Sequence, residues 1–202
     1  MSSSELERAA AAIQNATTTV AFTGAGISVE SGIPPFRGAD GLWNKVDPSF
    51  IELSYFLREP LASWQQIREI FYEFFGAAEP NDAHRGLAAM EAAGKLACVI
   101  TQNIDNLHQE AGSGVVHEYH GTAQRMVCLE CGAEVDSKDV VLDELPPRCQ
   151  RPSCDGMLKP DFIFFGEAIP EEAARASLAA AASCDVMIVI GTAGEVMPAC
   201  SL

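Results

Sequence analysis

Residues 17–28 read Thr-Thr-Thr-Val-Ala-Phe-Thr-Gly-Ala-Gly-Ile-Ser. The first seven are a short β-branched and apolar run, the pattern of a buried strand. Gly24, Ala25 and Gly26 follow with no linker between. A strand that ends in a glycine turn and opens a helix lets backbone N–H groups approach a pyrophosphate. The dinucleotide fingerprint asks for a third glycine three residues on, and that position holds Val29. The match is therefore partial, and an ordinary tight turn stays open as a reading. Ser28 is placed to cap the helix start, and Gly32-Ile33-Pro34-Pro35 ends that element early.

The same arrangement recurs outward from this stretch. An alanine-rich helix is expected over residues 4–15. Residues 96–101 (LACVIT) form a second apolar strand that runs into Gln102-Asn103-Ile104-Asp105. Residues 115–119 form a third, reaching His120-Gly121, and residues 185–190 (DVMIVI) a last one, followed by Gly191-Thr192. Helices are expected over 82–93, stopping at Gly94, over 104–111, stopping at Gly112, and over 171–183. Leu61, Trp64, Ile67, Phe71 and Phe74 recur at spacings of three and four and predict an amphipathic helix with a core-facing stripe. Residues 162–165 read as extended.

Strands that are apolar throughout and alternate with helices predict an α/β, Rossmann-like parallel sheet with helices on both faces. Ligands of such sheets sit beyond the carboxyl ends of the strands. The loops at Gly24, Gln102 and Gly191 are thus expected to converge on one crevice. Segments 38–80 and 122–158 interrupt the pattern and are expected to form a small domain, a helical insert plus a zinc module. Segments 1–37, 81–121 and 159–202 then make up the large domain.

The second segment carries Cys128-x2-Cys131 and, after seventeen intervening residues, Cys149-x4-Cys154. Two short knuckles deliver four thiolates to a tetrahedral zinc, and four thiolates close its shell, so the ion is structural. The amino terminus is acidic and has no apolar core of a secretory leader, and no apolar run approaches the length of a membrane span. A reducing, cytoplasmic location follows, in which paired cysteines read as metal ligands. Cys98, Cys184 and Cys200 lie in apolar stretches and read as small core residues. The formal net charge is −15, from 13 basic against 28 acidic residues. Such a field repels nucleic acid and anionic membrane and attracts cationic partners, although solubility alone also accounts for it.

Two further features can carry chemistry. Asn103 and Asp105 after a strand can hold a carboxamide from both sides, or Asn103 can simply cap a helix. His120 can serve as a general base, or be structural, and composition does not separate it from His84, His108 and His117.

Taken in order, GAGIS-x3-GIP-x-FRG (24–38), TQNID-x-LH-x2-AG (101–112), EYHG (118–121), the two cysteine pairs, FFGE (164–167) and GT-x3-V-x-P (191–198) closely resemble the sirtuins, NAD-dependent protein-lysine deacylases. The resemblance covers nearly the whole chain. It implies NAD and an acyl-lysine peptide meeting in the cleft between a Rossmann-like domain and a smaller zinc-bearing one. By motif, Gly24, Ala25, Gly26, Arg37, Gln102, Gly191 and Thr192 map onto cofactor-contacting positions, and Phe36 onto the aromatic residue beside the reacting ribose. Asn103, Ile104 and Asp105 map onto the nicotinamide pocket, with Asn103 also counted among the catalytic groups. His120 maps onto the general base, which also contacts the cofactor. Ile163, Phe164, Phe165 and Gly166, with Glu195 and Val196, belong to the two extended segments that sandwich the substrate peptide by strand addition. The family reaction releases nicotinamide and gives free lysine and O-acyl-ADP-ribose.

Relatives that remove acidic acyl groups carry a Tyr-x-x-Arg pair, where alignment from Trp64 places Ile67 and Ile70, so acetyl or longer apolar groups are expected. Ala193 stands where many relatives have serine, and relatives continue beyond the position of Leu202. An uncovered sheet edge, a possible homodimer across it and weaker cofactor binding are the expectations attached to that stop. ADP-ribosyl transfer from the same site, and a catalytically impaired NAD or acyl-lysine binding fragment, are the alternative readings.

Overall fold

The computed structural model describes residues 3–202. Its larger sheet has four parallel strands in the order β3-β2-β1-β7, with β1 at Thr19–Thr23, β2 at Cys98–Thr101, β3 at Val116–Glu118 and β7 at Val186–Ile190. Alternation along the strands assigns their side chains to two faces. Val20, Phe22, Cys98 and Ile100 pack with alanines of α6 (Glu171–Ser183), whereas Ala21 and Val99 pack with Leu87 of α4 (Asp82–Ala92). The central strands β1 and β2 are thus covered on both sides, as their apolar runs require, whereas β7, expected to be buried, lies at the sheet edge with none of its residues fully buried and Val189 exposed. Helix α1 (Ser3–Asn15) buries none of its side chains.

A second sheet is antiparallel, in the order β5-β4-β6, with β4 at Gly121–Cys128, β5 at Glu134–Asp136 and β6 at Leu158–Phe162. It shares one apolar cluster with the helical segment that holds α2 (Leu53–Arg58) and α3 (Pro60–Ile67). Phe56, Trp64, Ile67, Met126, Leu158 and Phe164 are among its fully buried members. The Trp64 indole N–H donates to the Leu158 carbonyl at 3.1 Å, pinning the insert to β6.

Four local expectations are corrected. The glycine turn opens into a 3-10 helix, Ala25–Ser31, not an α-helix, and Ser28 lies inside it rather than capping it. The stripe on 61–74 is buried only in its middle: Leu61, in the first turn of α3, is exposed, and so is Phe74, because the helix passes into π geometry over Arg68–Phe74 and rotates the later residues out of phase. Phe75, outside the stripe, is buried instead. The helix expected over 104–111 shrinks to α5, Leu107–Glu110, because Asn106 takes a left-handed conformation (φ 64°) just before it. Of residues 162–165 only Phe162 belongs to a strand, and Phe165 forms an isolated parallel bridge with Glu52.

Candidate functional site

The loops at the carboxyl ends of β1, β2 and β7 do converge. Gly24 N–H donates to Ile190 O at 3.0 Å and Gly26 N–H to Gly191 O at 2.8 Å, so the first turn is stitched to the last strand. A Cβ on Gly26 would stand 2.7 Å from Gly191 Cα, which is why this position takes no side chain. The Gln102 side-chain amide donates to Thr192 Oγ1 at 3.0 Å, and the Asn103 amide donates to Gly24 O at 3.3 Å and to Ser28 Oγ at 3.1 Å. Ser28 Oγ in turn donates to Asp105 Oδ2 at 2.6 Å. Asn103 therefore does not cap α5. Asp105 takes that role by accepting from Leu107 N–H at 3.1 Å.

Beside this network a narrow cleft of about 10 Å³ is lined by Ala25, Ile33, Phe36, Phe75, Asn103, Ile104 and Asp105. Phe36 stacks on Trp43 with ring centroids 5.1 Å apart and meets the edge of Phe75 at 6.4 Å. Apolar walls with a buried amide and a carboxylate at one end match the chemistry of a flat heteroaromatic carboxamide, and the cleft must widen to admit one. The stitched turns of β1 and β7 suit a dinucleotide laid across them. Gly24, Ala25, Gly26, Phe36, Gln102, Asn103, Ile104, Asp105, Gly191 and Thr192 thus lie along one crevice.

His120 follows β3 and is half-buried. Its Nδ1 lies 3.1 Å from Gln102 O. A carbonyl only accepts, so Nδ1 carries the proton and Nε2 keeps a free lone pair. Burial, the largest influence, lowers its pKa; the hydrogen bond to Gln102 O works against this and the nearby Arg37 charge with it, and the net lowering leaves the ring neutral at neutral pH. Gly121 follows with φ 74°, and a Cβ there would overlap the Asp161 carbonyl, so the chain turns sharply from the imidazole into β4. Ile163 N–H donates to His120 O at 2.9 Å, which brings the proposed peptide-binding segment alongside the base. Glu195 and Val196 lie on the loop after β7, and among the described residues no hydrogen bond joins them to 163–166.

The structure adds a buried polar chain that composition did not single out. Thr23 Oγ1 donates to Thr101 Oγ1 at 2.9 Å, and Thr101 Oγ1 also accepts from Asn103 N–H at 3.1 Å. Thr23 Oγ1 must then accept from His108 Nε2, 2.9 Å away, which leaves Nδ1 of His108 bare. His84 Nδ1 accepts from Asn81 N–H at 3.3 Å, so its proton sits on Nε2. The two ring atoms that lack a partner among the described residues, His84 Nε2 and His108 Nδ1, are thus a donor and an acceptor on rings 4.8 Å apart. Both histidines belong to local sequence signals, an N-terminal capping box for His84 and the TQNID-x-LH run for His108, but only the fold faces them.

Burial, reinforced by His84, pulls the His108 pKa down to about 4 from 6.5. The unfolded chain takes up this proton first as pH falls, so the stabilisation is full above about 6.5 and is lost progressively toward 4. Thermal stability is expected to decline across that window. His108→Gln, which retains a donor for Thr23, is expected to make the decline shallower. An identical slope in the variant, read by melting curves at stepped pH, would refute the assignment.

The four zinc-candidate thiols also assemble. Their Sγ atoms all lie within 4.8 Å of one another, with Cys128 to Cys154 at 3.7 Å and Cys131 to Cys149 at 3.8 Å. A tetrahedron of thiolates at about 2.3 Å from zinc has edges of about 3.8 Å, so the donor set and its size fit that ion.

The Sir2 family model matches residues 24–198. The NAD-dependent protein deacetylase 1 of Pyrobaculum aerophilum is 44% identical over 201 residues, covering 96% of this chain and 76% of that protein. The NAD-dependent protein deacetylase of Haloarcula marismortui is 42% identical over 203 residues, with 96% and 76% covered. Among solved structures, Sir2 with a p53 peptide and NAD+ superposes with a TM-score of 0.88 at 33% identity, over 97% of this chain and 79% of that one. Sir2 bound to an acetylated peptide gives 0.87 at 32% identity, over 97% and 79%. With its crevice, its thiolate cluster and these likenesses together, the chain belongs to the Sir2 family, the sirtuins.

Proposed function

We propose that this chain removes acyl groups, acetyl above all, from protein lysines at the expense of NAD. The observation that carries the reading is the neutral His120 imidazole, its Nδ1–H fixed on Gln102 O and its Nε2 free, beside the Asn103–Ser28–Asp105 network. NAD, when bound, would supply the acyl acceptor: its nicotinamide leaves as the acyl oxygen bonds to the ribose, and one water is consumed in releasing the lysine amine, so that acyl-lysine, NAD and water give nicotinamide, free lysine and O-acyl-ADP-ribose.

The chain's own groups divide the remaining tasks. Ala25, Gly26, Arg37, Gln102 and Thr192 contact the cofactor, and the turns at Gly24 and Gly191 hold its pyrophosphate half. The rings of Phe36 and Phe75 exclude water from the cavity that takes nicotinamide. Asn103, Ile104 and Asp105 orient the carboxamide. His120 accepts a proton at Nε2. Cys128, Cys131, Cys149 and Cys154 hold one zinc, which organises the lobe and takes no part in bond making. Residues 163–166 and Glu195–Val196 flank the peptide. Segments 38–80 and 122–158 act as one small domain against the rest. The family relatives named for deacetylation and the complexes with NAD+ and acetylated peptide support this assignment.

Incubation with acetyl-lysine peptide and NAD tests it. Nicotinamide release with deacetylated peptide is the expected result. Transfer of labelled ADP-ribose to protein would favour the transferase alternative, and binding without turnover an impaired binding protein. The acyl preference is tested with the same assay. Ile67 and Ile70 are buried and apolar, and neither can pair a carboxylate. Desuccinylation is expected to run at least about tenfold below deacetylation, since an anion placed there goes unpaired; comparable rates would overturn the preference.

We further propose a cytoplasmic location, with no binding of nucleic acid at a net charge of −15. No helix among the described residues is long and apolar enough to cross a membrane. Strand β7 is a sheet edge with Val189 exposed, and pairing of two copies across it is the dimer reading. A single monomeric species at all concentrations in sedimentation would exclude that reading.

A further inference from the structure

Lys159, on β6, is a buried lysine. Its ammonium donates to Pro160 O at 3.0 Å and to Phe162 O at 2.9 Å, and stands 2.9 Å from Glu167 Oε2. It also lies 4.1 Å above the centre of the Phe164 ring. The same Glu167 oxygen accepts from Phe164 N–H at 2.7 Å. One carboxylate oxygen thus closes the 164–167 turn around a buried cation. The Phe164 ring meets Phe56 at 5.1 Å and Phe162 at 5.2 Å, which ties the turn to the core of the helical insert. Ile163 N–H is taken by His120 O and Phe165 N–H by Ile51 O.

A buried ion pair is poor evidence of stabilisation, because two apolar residues of similar volume often do as well. Its distinctive effect is geometric: both ions must meet specified partners, so the backbone between them has one shape. Here that backbone is 163–166, the segment read above as one wall of the peptide cleft.

We infer that Lys159 and Glu167 are positioning residues for the acyl-lysine peptide: their pair sets the curvature of 163–166, against which the peptide pairs through its backbone. The inference rests on the reading of 163–166 as the peptide-binding segment. It separates Glu167 from the acidic surface, since its carboxylate is turned inward and neutralised, and it does not read basic side chains of the substrate.

Glu167→Gln tests this, because the amide oxygen still accepts from Phe164 N–H while the charge is gone. The expected result is a peptide KM raised about tenfold, a factor worth about 1.4 kcal/mol, with kcat and the NAD KM moving less than about twofold. The factor is the same for peptides with neutral and with basic flanks. Lys159→Met raises peptide KM similarly, and the double variant is no worse than the worse single, because both act through one device. A peptide KM unchanged in Glu167→Gln, a loss confined to basic-flanked peptides, or an equal loss in kcat and both KM values would each overturn the inference. Where Lys159→Met does not fold, Glu167→Gln alone decides. If the wild-type chain shows no turnover, the proposed activity fails by itself. Anisotropy titration of a labelled acetyl-lysine peptide then decides the positioning role by the same tenfold criterion.

Discussion

His120→Ala is expected to lose about 10²–10⁴-fold in deacetylation, the usual contribution of a positioned general base. The loss should fall on kcat at saturating NAD and peptide, because the ring lies beside the cofactor crevice rather than forming its walls. The fold should survive. The substitution removes one hydrogen bond to Gln102 O and leaves that carbonyl short of a partner, a penalty of about 1–3 kcal/mol. It touches no thiol of the zinc cluster, so metal content measured by mass spectrometry should stay at one ion per chain. Turnover like that of the wild type, in a variant whose circular dichroism is unchanged, would remove His120 from the mechanism. His120→Gln is a useful companion, since it tests whether a polar group of similar reach substitutes for the base.

Complete removal of zinc is expected to unfold the lobe that bears it. Structural zinc contributes on the order of 10 kcal/mol to small modules, comparable with the whole stability of an ordinary domain of about 5–15 kcal/mol. The damage should not stop at the two knuckles. Cys128 and Cys149 belong to the same buried cluster as Trp64, Met126 and Leu158, so losing the metal loosens the helical insert as well. Both tryptophans, Trp43 and Trp64, pack within or against that cluster. Their near-ultraviolet circular dichroism is therefore the reporter, and it should collapse after chelation while much of the far-ultraviolet signal from the parallel sheet and its helices persists. An unchanged near-ultraviolet spectrum in metal-free protein would refute the prediction.

Three strands of the large sheet, β1, β2 and β7, are legible because each is short, largely apolar or β-branched and followed at once by a glycine or an amide, whereas β3, Val116–Glu118, carries a histidine and a glutamate and runs into Tyr119. The thiolate cluster was legible because its spacing is a chemical constraint in itself. Other features depend on contacts that a linear reading does not contain. The stripe from Leu61 to Phe74 was read at a single helical period, but the π segment changes the period midway and exchanges Phe74 for Phe75 on the inside. Ser28 was read as a cap from its position after the turn, whereas its hydroxyl is committed to Asp105, 77 residues away in sequence. His84 and His108 looked interchangeable with His120 until the fold faced the first two with each other and left His120 at the crevice. Lys159 and Glu167 were invisible for the same reason, since a buried pair eight residues apart has no periodic signature.

The contact between Gly26 and Gly191 has a consequence for anyone altering cofactor choice. The two turns interlock backbone to backbone, with no side-chain cushion to absorb a change on either. Neither loop can be diversified by itself in a library. They have to be transplanted as a matched pair, together with the strand ends that present them, or the graft will wedge the sheet apart before any nucleotide meets it.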